Sequence, residues 1–234
     1  MNSPSFPPLC RRCAAGLLLT LACGCSALNP TKTPPPSFYS LDNARIEARA
    51  ATRAAATSSQ TAPTLIVNPP HAAAGFDSHR IIYVREPHKL EYYAHNEWVD
   101  TPARMLAPLI VAAAEQSGTF RAVVLTPSAA AGDLRLDTEV MRLQHDFGSQ
   151  PSRVRFALRA YLVDNRTRRV LAWREFDETV PAASEDPYGG VVAANRAVQT
   201  VLERLASFCA EAAGKWQPPA AEVTKRTEGG LPGR

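Results

Sequence analysis

Residues 153–162 read RVRFALRAYL, and Val154, Phe156, Leu158, Ala160 and Leu162 alternate with Arg153, Arg155, Arg159 and Tyr161. Successive side chains of a strand point to opposite faces, so this segment makes one face apolar and the other basic. Only a sheet with one face packed and the other in water accommodates it. The preceding stretch, 133–147, obeys the rule in two halves. Leu134, Leu136, Thr138 and Val140 share one face, whereas Met141 and Leu143 fall on the other, and a bulge near Val140 reconciles them. With the turn between the two strands centred on Ser149, Glu139 lies opposite Arg159, a cross-strand pair worth roughly a few tenths of a kcal/mol that favours this register. Asp164 to Thr167 make the next turn, and Val170 to Val180, carrying Trp173 and Phe176, returns as a further antiparallel strand.

The rest of the chain supplies what covers the apolar face. Thr64–Val67 is a continuous apolar run ended by Asn68-Pro69-Pro70, the pattern of a short buried strand. His79–Val84 and Lys89–Ala94 form a hairpin across Arg85-Glu86-Pro87-His88. On its second arm Leu90, Tyr92 and Ala94 share one face, read as the core face, and Glu91, Tyr93 and His95 share the other. Thr101 is positioned to cap a helix with Pro102 at its first position, where the missing N–H costs nothing. That helix runs to about Ser117 with Leu106, Leu109, Ile110 and Ala113 as its buried stripe, a kink expected at Pro108 and Gly118 as its stop. Phe120–Leu125 is another strand. Ser184-Glu185-Asp186-Pro187 opens the last helix, about Gly190 to Ala213, whose stripe of Val191, Val198, Leu202, Leu205, Cys209 and Ala212 makes Cys209 a core residue. The reading is α+β: a mainly antiparallel β-sheet packed with two long helices, in a single domain from 63 to 216. The segment 217–234 mixes proline, glycine and charge without periodicity and is expected to be disordered.

Upstream lies a lipoprotein signal. Arg11 and Arg12 precede a short apolar run, Ala14 to Ala22, which falls short of the roughly 20 residues a membrane span needs. Gly24-Cys25-Ser26 follows, and Cys25 is the expected lipidated residue, with cleavage after 1–24. Ala22 stands where leucine is usual, and Cys23 offers a competing register. Residues 25–62 then read as anchor and Pro/Ala-rich linker, with Ser37–Leu41 a strand candidate inside it. Of five cysteines, Cys10, Cys13 and Cys23 leave with the signal, so the CxxC of Cys10 and Cys13 is neither a redox pair nor half a zinc site.

No Gly-rich phosphate loop, HExxH or GxSxG is present, and the five histidines are scattered without zinc spacing. The expectation is a non-enzyme with no catalytic residues, no metal and no cofactor. Lys plus Arg exceed Asp plus Glu by only 26 to 22, which argues against nucleic acid as a partner. Glu185 and Asp186 beside Pro187 suit a helix start better than an acid/base pair. The least ordinary feature is the aromatic cluster Tyr83, Tyr92, Tyr93 and Trp98. With Tyr93 turned away from Leu90 and Tyr92, Tyr93 and Trp98 are the candidate partner-binding residues; for Trp98 the alternative is that its indole staples the first helix to the sheet.

The signal and proline spacer, FYSLD, TLIVNPP, AGFDSHRIIYVREPHKLEYYAHNEWVDTPARML, DLRLDTEVMRLQHDF, SRVRFALRAYLVD and SEDPYGGVVAANRAV together resemble the ABC-type transport auxiliary lipoprotein family over roughly residues 37–210. The YVREPHKLEYYAHNEWVDTP stretch is its most specific part. The resemblance implies a non-catalytic accessory of an Mce-type system that moves phospholipid or other hydrophobic molecules between inner and outer membranes. Its implied partners are an Mce-domain protein and an ABC permease/ATPase complex, with assembly alongside other copies of the chain. Ser26, which is not the Asp that favours inner-membrane retention in enteric sorting, points to the periplasmic face of the outer membrane. The alternative reading is an envelope scaffold lipoprotein regulating cell-wall or outer-membrane assembly.

Overall fold

The computed structural model describes residues 35–42 and 61–217. Its elements, in order, are β1 (Ser37–Tyr39), β2 (Thr64–Val67), β3 (His71–Ala72), β4 (Arg80–Val84), β5 (Glu91–Trp98), α1 (Pro102–Gln116), β6 (Ala122–Leu125), β7 (Leu134–Asp146), β8 (Arg153–Asp164), β9 (Val170–Pro181) and α2 (Pro187–Gly214). The fold is α+β, as the hydrophobic periodicities predict.

Everything is arranged about β7. Along one edge it pairs antiparallel with β8 from Leu134↔Asp164 to Asp146↔Arg153, and β8 pairs in turn with β9. The register shifts between Val140 and Arg142, which is the expected bulge, so that Leu143 and His145 rejoin the buried face of Val140. Glu139 faces Arg159 as predicted, with Nη1 and Oε2 3.5 Å apart. Along its other edge β7 holds three short strands in succession, all parallel to it: β2 at Leu134–Leu136, β3 at Glu139–Val140 and β4 at His145–Asp146. Pro69 and Pro70 have no N–H to give a ladder, so they break what would be one strand into β2 and β3. The ladder closes around them through Asn68 N–H to Leu136 O, 3.0 Å, and Ala73 N–H to Val140 O, 2.9 Å. Beyond β2 lies β6, and beyond β4 lie β5 and then β1.

Both helices cover one face of this sheet. α1 packs on β6, β2 and β7, α2 on β8 and β9, and the two touch each other. Leu106, Ile110, Val198, Leu202, Leu205 and Cys209 enter the same apolar core as Leu134, Leu136, Phe156 and Phe176. Each fully buried leucine there contributes about 1.5–3 kcal/mol. Two local expectations change. Thr101 stands at the N-cap of α1, but its hydroxyl makes no capping bond; Asp100 Oδ1 accepts the Thr101 N–H instead, at 2.7 Å. Pro108 lies inside the helix, on its exposed side. α2 begins at Pro187, three residues earlier than its apolar stripe suggested, because Asp186 Oδ1 accepts the Gly189 N–H at 2.7 Å.

The segment 37–42, placed by composition in the linker, is joined to the folded body. β1 runs parallel to β5, Leu41 is buried, and the Asp42 N–H donates to Asn195 Oδ1 on α2 at 2.9 Å. The expected signal peptide, Cys25 and Cys23, residues 43–60 of the linker and the tail beyond 217 lie outside the described residues. Among the described residues no helix is long and apolar enough to cross a membrane.

Candidate functional site

The two aromatic residues singled out in the sequence are positioned by β5. Trp98 closes that strand and is only 4% exposed, a core residue that lines a small cavity with Leu143 and with Gly190 and Ala194 of α2. Tyr93 is half-buried against the core, while Tyr92 is 39% exposed. The division of β5 into two faces is as expected, but the faces are exchanged: Glu91, Tyr93 and His95 turn toward the helices, and Leu90 and Tyr92 toward the uncovered side. The cause is tertiary. β4 lies beside β7 with Tyr83 in register with His145, and His145 points under the N-terminus of α2, so the helix side at this corner is polar.

That polar corner is a chain of hydrogen bonds. The Tyr93 hydroxyl lies 3.1 Å from His145 Nδ1, and His145 Nε2 lies 2.8 Å from Ser152 Oγ. Ser152 offers its backbone N–H to Glu185 Oε1 at 2.8 Å and its hydroxyl to the same carboxylate. With the Ser152 proton committed to Glu185, Oγ accepts from Nε2–H, and Nδ1 accepts from the tyrosine hydroxyl. A neutral imidazole satisfies both bonds. Burial holds the His145 pKa below its ordinary value, against the opposing pull of Glu185 and Asp186. Burial also raises the Tyr93 phenol, which stays protonated and able to donate. Glu185 is held low chiefly by the Ser152 N–H and Asp186 chiefly by the Gly189 N–H. Gly190 is needed at this corner, since a Cβ there would stand 2.5 Å from His145 Nδ1.

A serine hydrogen-bonded to a histidine is the start of a nucleophile and its base. Here Ser152 is fully buried, and the adjoining cavity of about 10 Å³ holds at most about one water molecule. The pair therefore buckles the α2 N-terminus to the turn between β7 and β8. Among the described residues no grouping of His, Cys, Asp and Glu is placed to hold a metal ion.

The uncovered face of the sheet offers a different kind of site, and the bulge in β7 divides it. On one side of the bulge the charges are matched: Arg159 lies 3.5 Å from Glu139 and 3.1 Å from Glu175, and Arg135 lies 3.0 Å from Asp137. On the other side Arg142, Gln144 and Asp146 of β7 stand beside Arg153 and Arg155 of β8, in the pairs Gln144↔Arg155 and Asp146↔Arg153. Arg142 reaches Asp177 only at 3.9 Å. Asp146 turns Oδ1 to the Gly148 N–H, 2.8 Å away. Among the described residues, Arg153 and Arg155 have no carboxylate within ion-pair distance. The hairpin of β4 and β5 bounds this area with Arg85 and Leu90, enclosing with Phe76 and Met141 an open groove of about 1020 Å³. Among the described residues, four arginines and one carboxylate line it. Like charges gathered in a concave, partly apolar surface focus their field and attract an anion. The sequence carried one signal of this site, the basic outer face of residues 153–159. It carried none for Phe76, Leu90 and Met141 meeting beside it.

Comparison with known proteins now defines the class. The model of the ABC-type transport auxiliary lipoprotein component matches residues 44–206, and the chain belongs to that family. It is thus an auxiliary lipoprotein component of an ABC-type transport system, a class of the cell envelope. Among solved structures it is similar to a protein from Xanthomonas campestris, with 25% identity and a TM-score of 0.62, covering 77% of this chain and 95% of that one. A second, titled only as an uncharacterised protein, shares the fold at 12% identity and a TM-score of 0.56, covering 76% of this chain and 98% of that one. No curated protein matches the chain.

Proposed function

We propose that this protein is a periplasm-facing, non-catalytic accessory of an Mce-type ABC system that moves phospholipid or other hydrophobic molecules between the inner and outer membranes. In this reading Cys25 carries the lipid anchor and the outer membrane holds it, while residues 26–36 space the folded domain from the bilayer. The observation that carries the proposal is the family match across residues 44–206, which spans the whole meander and most of α2. The domain acts by contact, engaging an Mce-domain protein, the permease/ATPase complex or other copies of itself. Chemical crosslinking in intact cells, followed by isolation of the full chain and mass spectrometry of what is attached, tests this. An Mce-domain protein and ABC subunits are expected. Recovery of cell-wall enzymes in their place would replace the transport reading with an envelope scaffold. The mass of the mature N-terminal peptide tests the anchor, and an unacylated start elsewhere than Cys25 or Cys23 would remove the basis for membrane attachment.

A further inference from the structure

We propose that the basic groove on the uncovered face of the sheet binds the headgroup of an anionic phospholipid, the phosphate against Arg153 and Arg155 and the first part of an acyl chain along Phe76, Leu90 and Met141. The lipid identity of the occupant rests on the transport reading above, and the groove itself rests on geometry.

Three features point to this occupant. The first is uncompensated charge. Arg153, Arg155 and Arg159 are consecutive outward arginines of β8, yet Arg159 is held by Glu139 and Glu175 while the other two have no such partners among the described residues. Arginines left without partners inside a concavity are free to give a phosphodiester the paired, charge-assisted hydrogen bonds it takes best. Residues two apart on one face of a strand are about 7 Å apart, close enough for both guanidinium groups to reach one phosphate.

The second feature is that the groove has two different walls. Arg153 and Arg155 come from β8, on one side of β7. Phe76, Val84 and Leu90 come from the β3, β4 and β5 side, and Met141 is the bulged residue between. Inorganic phosphate or an acidic peptide has no use for the apolar wall, whereas a phospholipid joins one anionic group to a hydrocarbon chain. The third feature is size. A volume of about 1020 Å³ is at the upper end of ligand pockets, far more than a free phosphate fills. The mouth is open, and among the described residues no helix lies over this face.

The test uses the full chain in a neutral detergent, incubated with equal amounts of phosphatidylglycerol and phosphatidylcholine and examined by native mass spectrometry. Phosphatidylglycerol should be retained about tenfold over phosphatidylcholine, because both present a phosphodiester but the choline brings a cation into a groove lined by arginines. The double variant Arg153→Gln/Arg155→Gln should abolish the preference, and Arg159→Gln should leave it intact. Leu90→Ser should lower retention of both lipids, and it serves as an independent probe if the arginine variant folds poorly in a thermal melt. Equal retention of the two lipids, or a preference that survives the double variant, overturns the proposal. Complete displacement of phosphatidylglycerol by excess inorganic phosphate also overturns it, since that marks a free-anion site. Loss of the ABC partners in the crosslinking experiment with the lipid preference intact would sink the transport reading alone, and the reverse outcome would sink the groove assignment alone.

Discussion

Replacing Gly190 by Ala tests the corner where α2 meets the sheet. An added methyl would lie 2.5 Å from His145 Nδ1, 3.1 Å from Cε1 and 3.2 Å from Cγ. Contact between carbon-sized atoms is comfortable only near 3.5–4.0 Å, so the ring must move by about 1 Å or the helix must lift. The ring has little freedom, being bonded to Tyr93 and Ser152 and lying 4.2 Å, centroid to centroid, from Phe147. Overpacking of this kind costs about 1–3 kcal/mol, and loss of one of the two ring hydrogen bonds adds about 1. Against this stands the gain of about 1 kcal/mol when Ala replaces Gly within a helix. The net is a loss of about 2 kcal/mol, or about 4–8 °C in Tm for a domain of this size. Gly214 at the other end of α2 is the control, because a Cβ there meets nothing within 4 Å. Gly214→Ala should be neutral or stabilising by up to about 1 kcal/mol. Urea unfolding of the full chain followed by circular dichroism compares the two. The steric origin is isolated by repeating Gly190→Ala in a His145→Ala background, where the penalty should vanish. If Gly190→Ala is as stable as Gly214→Ala, the close approach of α2 to His145 is wrong, and with it the buckle.

Further outcomes follow from the same corner and from the core. Tyr93→Phe strips His145 Nδ1 of its donor and should cost about 1 kcal/mol, whereas Tyr92→Phe, on the uncovered face, should stay within about 0.5 kcal/mol of the parent; equal effects in denaturant melts would return Tyr93 to the outer face. His145 is held below its ordinary value of 6.5, so the unfolded chain takes up the proton first: the stabilisation is complete above that value and is lost as pH falls through it toward the folded pKa. Melts at about pH 7.5 and about pH 5.5 should show that slope in the parent and a flatter one in His145→Asn, while Glu185 and Asp186, held low by the Ser152 and Gly189 N–H groups, lose their contribution only below the ordinary carboxylate range. A slope that the variant leaves unchanged would show that His145 titrates freely. Cys209 is buried, with its thiol pushed up to about 12, so an aromatic disulfide reagent at neutral pH should label it only in denaturant; rapid labelling of the native chain would contradict its place in the core.

What the sequence decided alone is what depends on local periodicity. The alternation in 153–162, the change of phase at Val140 that demanded a bulge, the pairing of Glu139 with Arg159 and the apolar stripe of α2 are all present in the order of residues. Each follows from a repeat of two or about 3.6 that any strand or helix must show. Periodicity also says which residues share a face, and it said so correctly for β5. It cannot say which face the helices will cover, and apolar character misled here: Leu90 and Tyr92 look more like core than Tyr93 with its neighbours Glu91 and His95. Only the approach of His145, 52 residues further along the chain, makes the inner side at that corner polar enough to take the Tyr93 hydroxyl. The parallel seating of β2, β3 and β4 along one edge of β7 is likewise a matter of distant segments, and no local repeat encodes it. The same holds for charge. In the sequence Arg153, Arg155 and Arg159 are equivalent outward arginines of one strand. It is the tertiary register, bringing Glu139 from β7 and Glu175 from β9 to Arg159 and, among the described residues, no carboxylate within ion-pair reach of the other two, that divides a uniformly basic stripe into a neutralised half and a half without carboxylate partners.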